Sequence, residues 1–191
     1  MDYSGRLNRN EWSVRPVPLQ AGRVLVEKYH YAKGGSNTAT YMHGLFRRED
    51  LMWDEKCQGV AWWIPPTKSA ALATWPERWM GVLCLSRLVL TPGCPKNAAT
   101  FLLAASRRMI DRKKWPCLVT YADTWRGHTG RIYRADNWEY CGLTKPERTY
   151  TINGIMVSRK AGPKTRTHGE MLALGARLEG AFAKHKYKRT S

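Results

Sequence analysis

The chain is short of acidic side chains, of paired cysteines and of long apolar runs. Asp and Glu number 15 against 32 Lys and Arg over 191 residues, for a formal net charge of +17. An excess of this size points to a polyanionic partner, with nucleic acid first and an anionic membrane surface second. The five cysteines, Cys57, Cys84, Cys94, Cys117 and Cys141, contain no C-x-x-C pair. An odd count without framework spacing argues against a disulfide scaffold and for reduced thiols in a cytoplasmic setting. No apolar run nears the roughly 20 residues that span a bilayer. The polar stretch from Met1 to Trp12 lacks the apolar core of a signal peptide. A soluble, cytoplasmic protein is expected, with no membrane partner beyond peripheral contact. There is no internal repeat, no low-complexity tract, and no H-x-x-x-H or H-x-D pair of the kind that marks a metal site. The length suits one domain with a real core.

Aromatics are plentiful, with 9 Trp and 9 Tyr. A single Trp is usually core or cleft wall, and beside Lys or Arg it can instead stack an unstacked base. Apolar spacing predicts a helix over 19–30 with Leu19, Val24, Leu25 and Tyr29 on one face, broken at Gly34-Gly35. Strands are expected at 39–46 and 58–66, joined by a charged hairpin or loop over 47–57, with Pro65-Pro66 ending the second. Residues 68–79 read as a loop with a helical turn. The run 81–90 is apolar on both alternating faces, as in a buried central strand. A Gly/Pro-punctuated loop, "TPGCPKN", then leads into a helix predicted over 98–115, carrying Phe101, Leu102, Ala105, Met109 and Ile110 inward. A strand at 117–122, a second loop and a second helix follow. Residues 148–160 read as a hairpin turning at Asn153-Gly154. From Gly162-Pro163 onward the chain is basic, with an amphipathic helix expected near 169–183 and "KHKYKRTS" as a solvated tail or phosphate-contacting arm. The domain expectation is 1–160 as the main domain, with 161–191 as a basic helix and tail packed on it or extending from it.

This order predicts an α/β fold with a mixed central sheet flanked by helices. In such sheets ligands bind where neighbouring strands splay at their carboxyl ends, and both loops, 91–97 and 123–130, open there. Asp123 directly follows a strand, where a carboxylate either serves chemistry or caps the next helix. His128 sits between glycine-flanked loop residues. Tyr133 lies in the following helix and is either core or a proton donor. His30 and Tyr31 end the first helix; with Asp123 they would offer a His-plus-carboxylate set suited to a first-row metal. The backbone amides of Asn97, Ala98, Ala99 and Thr100 begin a helix, with Lys96 beside them, and suit a phosphate or pyrophosphate.

Two adjacent strand-loop-helix units, with an anion-suited loop in the first and a tyrosine in the helix of the second, resemble the GNAT acyltransferase core. The segment 130–142 ("GRIYRADNWEYCG") is similar to the GNAT segment whose tyrosine protonates the departing thiolate, which implies that role for Tyr133. The motifs "YHY" (29–31), "GVAWWIPP" (59–66), "LSRLVL" (85–90), "PKNAAT" (95–100) and "YADTWRGHTGRIYRADNW" (121–138) resemble, in the same order, the phage Mom family of DNA-modification proteins. The resemblance covers roughly residues 20 to 160. It implies a GNAT-like fold and a transferase that adds a carbamoylmethyl-type group to the exocyclic amine of adenine, shielding phage DNA from host restriction. It also implies acetyl-CoA as cofactor and a proposed iron centre. Carried over, His30, Tyr31 and Asp123 are the implied metal set, with Tyr133, Asp123 and His30 as catalytic residues. Arg87, Lys96, Asn97, Ala98 and Thr100 are implied at the acyl-CoA loop or its polar neighbour. The usual GNAT loop is glycine-rich, whereas here Asn97-Ala98-Ala99 takes the place of the glycines.

The implied partner is double-stranded DNA with a flipped adenine, because a base is modified on its pairing edge only outside the stack. The oligomeric state is open, with a homodimer as one option. Two other readings compete. An ordinary GNAT acetyltransferase on a small-molecule or protein amine explains the fold but not the charge. A non-enzymatic DNA-binding module explains the charge and leaves the 123–133 segment as scaffold.

Overall fold

The computed structural model describes residues 5–49, 56–161 and 164–190. Part of the charged segment expected over 47–57, and the Gly162-Pro163 opening of the basic region, lie outside the described residues. The chain begins with β1 (Trp12–Pro16), α1 (Leu19–Tyr29), β2 (Tyr41–Arg47), β3 (Gly59–Ile64), α2 (Lys68–Leu72) and a 3-10 turn at Pro76–Gly81. The middle holds β4 (Val82–Leu90), α3 (Ala98–Arg108), β5 (Cys117–Asp123), a 3-10 turn at Thr124–Arg126, and α4 (Arg131–Ala135). Then come β6 (Glu139–Leu143), β7 (Glu147–Ile152), β8 (Ile155–Val157), β9 (Lys160–Ala161), β10 (Lys164–Thr165), α5 (His168–Ala173), β11 (Arg177–Phe182) and β12 (Lys184–Thr190).

The main sheet has seven strands in the order β1-β2-β3-β4-β5-β12-β6. All its pairings are antiparallel except the central one, β4 with β5. One face packs against α3 and α4, burying Trp63, Leu83, Leu102, Leu103, Leu118 and Tyr187. The other face is covered by α1, through Leu25 and Val26 against Trp62 and Val89, and by α2, through Ala71 against Val82 and Val119. Each large apolar side chain buried this way stabilises the fold by at most about 3 kcal/mol relative to exposure. A three-stranded sheet, β11-β7-β8, closes on α5 around Tyr150 and Met171. Its β7-β8 turn sits at Asn153-Gly154, as the sequence predicts.

Four expectations are corrected. On α1, Leu19, Leu25 and Tyr29 face inward as expected, but Val24 is 52% exposed and Gly22 and Val26 complete the buried face instead. The α3 helix ends at Arg108 rather than 115, because the Asp111 carboxylate accepts the amides of Lys113 (2.9 Å) and Lys114 (3.3 Å) and turns the chain. The helix expected near 169–183 stops at Ala173, and 177–182 becomes β11, whose ladder to β7 overrides the helical pattern. Residues 184–190 are not a solvated tail. They form β12, inserted between β5 and β6, with Tyr187 fully buried opposite Thr120. One apolar residue and two hydrogen-bonded ladders suffice to place a strand that is otherwise basic.

A further departure shapes the site. Along the β3-β4 pairing, Trp62 faces Arg87 and Trp63 faces Leu85, so Ser86 is an extra residue in β4. Such a bulge flips the alternation beyond it. Leu83, Leu85, Leu88 and Leu90 therefore share the α3 face, while Arg87 lies on the opposite face with Trp62.

Candidate active site

The site exists because two parallel strands part. β4 and β5 pair only from Val82–Cys117 to Leu85–Thr120. Beyond that point β4 stays with β3 as far as Leu90, and β5 stays with β12 as far as Asp123. The wedge between them holds a cavity of about 500 Å³, lined among others by His30, Tyr31, Arg87, His128, Arg131 and Tyr133. A second cavity of about 510 Å³ adjoins it, sharing His30, Tyr31, Leu88 and His128 and adding Leu90, Trp125 and Arg126.

Tyr31 follows the end of α1, and Asp123 ends β5. The Tyr31 hydroxyl donates to Asp123 Oδ2 at 3.1 Å, linking residues 92 apart in sequence. The other carboxylate oxygen, Oδ1, accepts the Trp125 amide at 3.1 Å. Asp123 thus caps the 3-10 turn and holds the tyrosine, so the capping and the functional readings of this residue both apply. Burial first, then the charge and hydrogen bond of Asp123, push the Tyr31 hydroxyl well above its usual pKa.

His30 stacks on Tyr31 with ring centroids 4.3 Å apart. Its Nδ1 accepts the Ala32 amide at 3.1 Å, which leaves the proton of the neutral ring on Nε2. Burial, then the nearby Arg87, His128, Arg126 and Lys33 charges, hold its pKa down at about 3. His128 meets Tyr31 edge-on at 5.8 Å. Tyr133 is buried against Tyr187 and Trp138, with Thr120 as its hydroxyl partner, and burial raises its pKa. Arg87, turned by the bulge, donates from Nε to the Gly34 carbonyl at 2.9 Å and from a terminal nitrogen to the Ser86 carbonyl at 2.7 Å.

Two glycines let the second loop run past this cluster. Gly127 ends the 3-10 turn in the left-handed region, with φ of 70° and open space around it. Gly130 has φ of 72°, and a Cβ there would come within 2.2 Å of the Tyr187 ring.

Of the residues singled out from the sequence, His30, Tyr31, Arg87, His128 and Tyr133 line the wedge, and Asp123 is buried behind it, bonded to Tyr31. Lys96, Asn97, Ala98 and Thr100 stand at the start of α3 and line neither cavity. There the Lys96 amide donates to the Gly5 carbonyl and its carbonyl accepts the Leu7 amide, both at 3.0 Å, so a bridging segment covers one side of the loop. The Ala98 amide is taken by the Pro95 carbonyl at 3.2 Å, and the first bond inside the helix runs from Phe101 to Asn97. The amides of Ala99 and Thr100, with the exposed Lys96 side chain, form the remaining anion-suited set, which is smaller than the four amides expected.

Among the described residues no three His, Cys, Asp or Glu side chains are grouped to hold a metal ion. The Tyr31 hydroxyl donates to Asp123, and burial with that carboxylate raises its pKa. His30, Tyr31 and Asp123 are brought together, but their arrangement lends no support to iron.

Sequence reasoning missed Trp125 and Arg126. The Arg126 guanidinium carbon lies 4.7 Å from the Trp125 ring centre and 5.2 Å from that of Tyr31. The signal was present as a Trp-Arg pair inside the quoted segment, but the stacking on Tyr31 depends on α1 and β5 ends meeting. Trp12, Trp62, Trp63, Trp115 and Trp138 are buried core, as expected of most tryptophans.

A sequence model described as the Mom protein family matches residues 11–189. No curated protein sequence matches the chain. Among solved structures, an N-acetyltransferase from Staphylococcus aureus Mu50 aligns with a TM-score of 0.54 at 12% identity, covering 94% of this chain and 98% of that one. Arabidopsis thaliana NAA60, solved in complex with a bisubstrate analogue, aligns with a TM-score of 0.57 at 11% identity, covering 94% and 97%. These likenesses show the expected fold, a GNAT-like mixed sheet flanked by helices.

Proposed function

The chain belongs to the Mom protein family, and from that premise we propose that it is an acyl-transfer-type enzyme acting on adenine in DNA. Transfer from a thioester would join the acyl carbon to the exocyclic amine and release the thiol. The carbamoylmethyl-type modification joins that amine to a methylene carbon instead, so it would need a donor carrying the amide and a leaving group on that methylene; made in the host cytoplasm, it would protect phage DNA from restriction. The observation that carries the reading is the Tyr31–Asp123 hydrogen bond of 3.1 Å, with Tyr31 on the wall of the wedge and Asp123 buried behind it. A carboxylate and phenol so paired support the removal of a proton from an amine nucleophile as its new C–N bond forms. Asp123 is the proton acceptor, directly or through Tyr31. Tyr133 faces the same cavity and is the proton donor to the leaving group. Burial keeps both phenols protonated at neutral pH, the state in which they can donate.

Acetyl-CoA, when bound, would supply an activated thioester, with its pyrophosphate held by Lys96 and the amides of Ala99 and Thr100. The net charge of +17 supports a DNA substrate, and binding should fall steeply with salt. The wedge has room for a base only once it has left the stack.

Mass spectrometry of nucleosides from plasmid DNA, after expression of the chain in bacteria, tests the reading. A heavier deoxyadenosine that disappears in Asp123→Ala and Tyr133→Phe supports it. Unmodified DNA beside soluble, folded protein sinks it. The GNAT-like fold favours one second reading, acetyl transfer to a small-molecule or protein amine, which the same cells reveal as acetylated products without DNA modification.

A further inference from the structure

The turn after β5 presents a stacked arrangement that the chemistry above does not use. Trp125 is half-buried and lines the second cavity, and Arg126 lies over its ring and over Tyr31. Tyr31 in turn stacks on His30. Four flat groups thus lie in successive contact, His30 against Tyr31 and Arg126 against both Tyr31 and Trp125. The backbone beneath them is anchored where the turn begins. The Thr124 hydroxyl donates to the Ala183 carbonyl at 2.7 Å, and the Trp125 amide donates to Asp123. This rigidity holds the rings in place without burying them in the core. Rigid, partly exposed aromatic faces interleaved with a cation are the surface on which unstacked bases bind, because every base has a π-face and its backbone is anionic.

We propose that Trp125 and Arg126 form the platform that holds the extruded base at the mouth of the wedge, stacking on it while its amine reaches the Tyr31–Asp123 pair. This rests on the DNA-base reading above and deepens it by assigning the base-holding residues. Asp123 then has a structural link to substrate position as well as to proton transfer, since the same carboxylate anchors the turn that carries the platform. The second cavity, at about 510 Å³, lies within the range of small-ligand pockets and has room for a purine beside the platform. The start of α3, which lines neither cavity, carries Lys96 and the amides of Ala99 and Thr100 instead, a set suited to a phosphorylated group.

The test uses the full chain and two short DNA duplexes that differ at one position, one with an unpaired adenine and one with an abasic site. Wild-type protein should bind the adenine duplex more tightly. Trp125→Ala should lose about tenfold on the adenine duplex and little on the abasic one, where no base is available to stack. Trp125→Phe should retain most of the preference. Arg126→Lys, which keeps the charge and removes the planar group, should weaken the preference while leaving abasic binding near wild type. The abasic affinity also reports folding, since a misfolded variant loses both. If the wild-type preference for adenine persists in Trp125→Ala and Arg126→Lys, the platform assignment is overturned and the DNA-base reading stands. If wild-type protein binds both duplexes equally or binds neither, the DNA-base reading fails and the platform with it.

Discussion

Two loops leave neighbouring parallel strands at the same end of the sheet, and they have opposite characters. The loop from Thr91 to Asn97, after β4, is closed down. Lys96 is bridged to the Gly5–Leu7 segment, the Ala98 amide is satisfied locally, and Ala98 itself is buried. The α3 helix behind it is locked by a buried polar set, in which the Ser106 hydroxyl lies 2.7 Å from both His43 Nδ1 and Trp63 Nε1. The loop from Thr124 to Gly130, after β5, is open. Two glycines at positive φ carry it, and it presents Trp125, Arg126 and His128 to the cavities. Equal positions in a sheet do not make equal sites. Position creates the crevice, and the side chains and turn geometry of each loop decide what the crevice can hold.

The comparison can be broken most sharply at Asp123. Asp123→Asn keeps the size and one acceptor for the Trp125 amide but removes the charge. We expect modification activity, read by nucleoside mass spectrometry, to fall about a thousandfold with the fold intact. A loss below tenfold would remove Asp123 from the chemistry and leave it as a cap alone.

The glycines come next. Gly130→Ala meets the Tyr187 ring and a positive φ together, so we expect about 3 kcal/mol of destabilisation and a Tm lowered by about 10 °C. Gly127→Ala has only the backbone term, for about 1 kcal/mol. Equal melting curves for the two would show that Tyr187 yields easily.

The closed half should be acid-sensitive. The His43 pKa is lowered by burial to about 4, so the folded ring is neutral where the unfolded one, at 6.5, would take a proton. Its stability contribution is fully present above pH 6.5 and drains away as pH falls toward 4, by about 3 kcal/mol. Thermal melts across that range should show the loss in wild type and a flatter profile in His43→Gln. The smallest effect is expected at Lys96. Lys96→Ala should raise the KM for an acyl-CoA about fivefold, with DNA affinity nearly unchanged. A loss of DNA binding instead would assign this loop to the nucleic acid.

Much of this was legible in the sequence. The apolar runs at 39–46, 58–66, 81–90 and 117–122 read as strands because buried strands leave hydrophobic stretches, and the observed strands fall within two residues of those bounds. Asn153-Gly154 read as a turn because few pairs accept two successive positive φ values. The order of strands, loops and helices predicted the sheet and the crevice. Illegible were the elements whose identity comes from a neighbour. Lys184–Thr190 has a strand's alternation but almost no apolar content, and only the open edges of β5 and β6 make it β12. Arg177–Phe182 continues a plausible helix until β7 offers a ladder.

By itself, then, the sequence determined the elements that local hydrophobic pattern and turn chemistry specify, and with them the two loops and the basic character of the surface. Tertiary structure alone decided that Tyr31 meets Asp123, that the bulge at Ser86 swings Arg87 to the far face, and that Arg126 lies near both the Tyr31 and Trp125 rings. The physical reason is range. Propensity and periodicity act over a few residues, whereas the site is built by contacts between chain ends of separate elements, whose meeting depends on how β4 and β5 part.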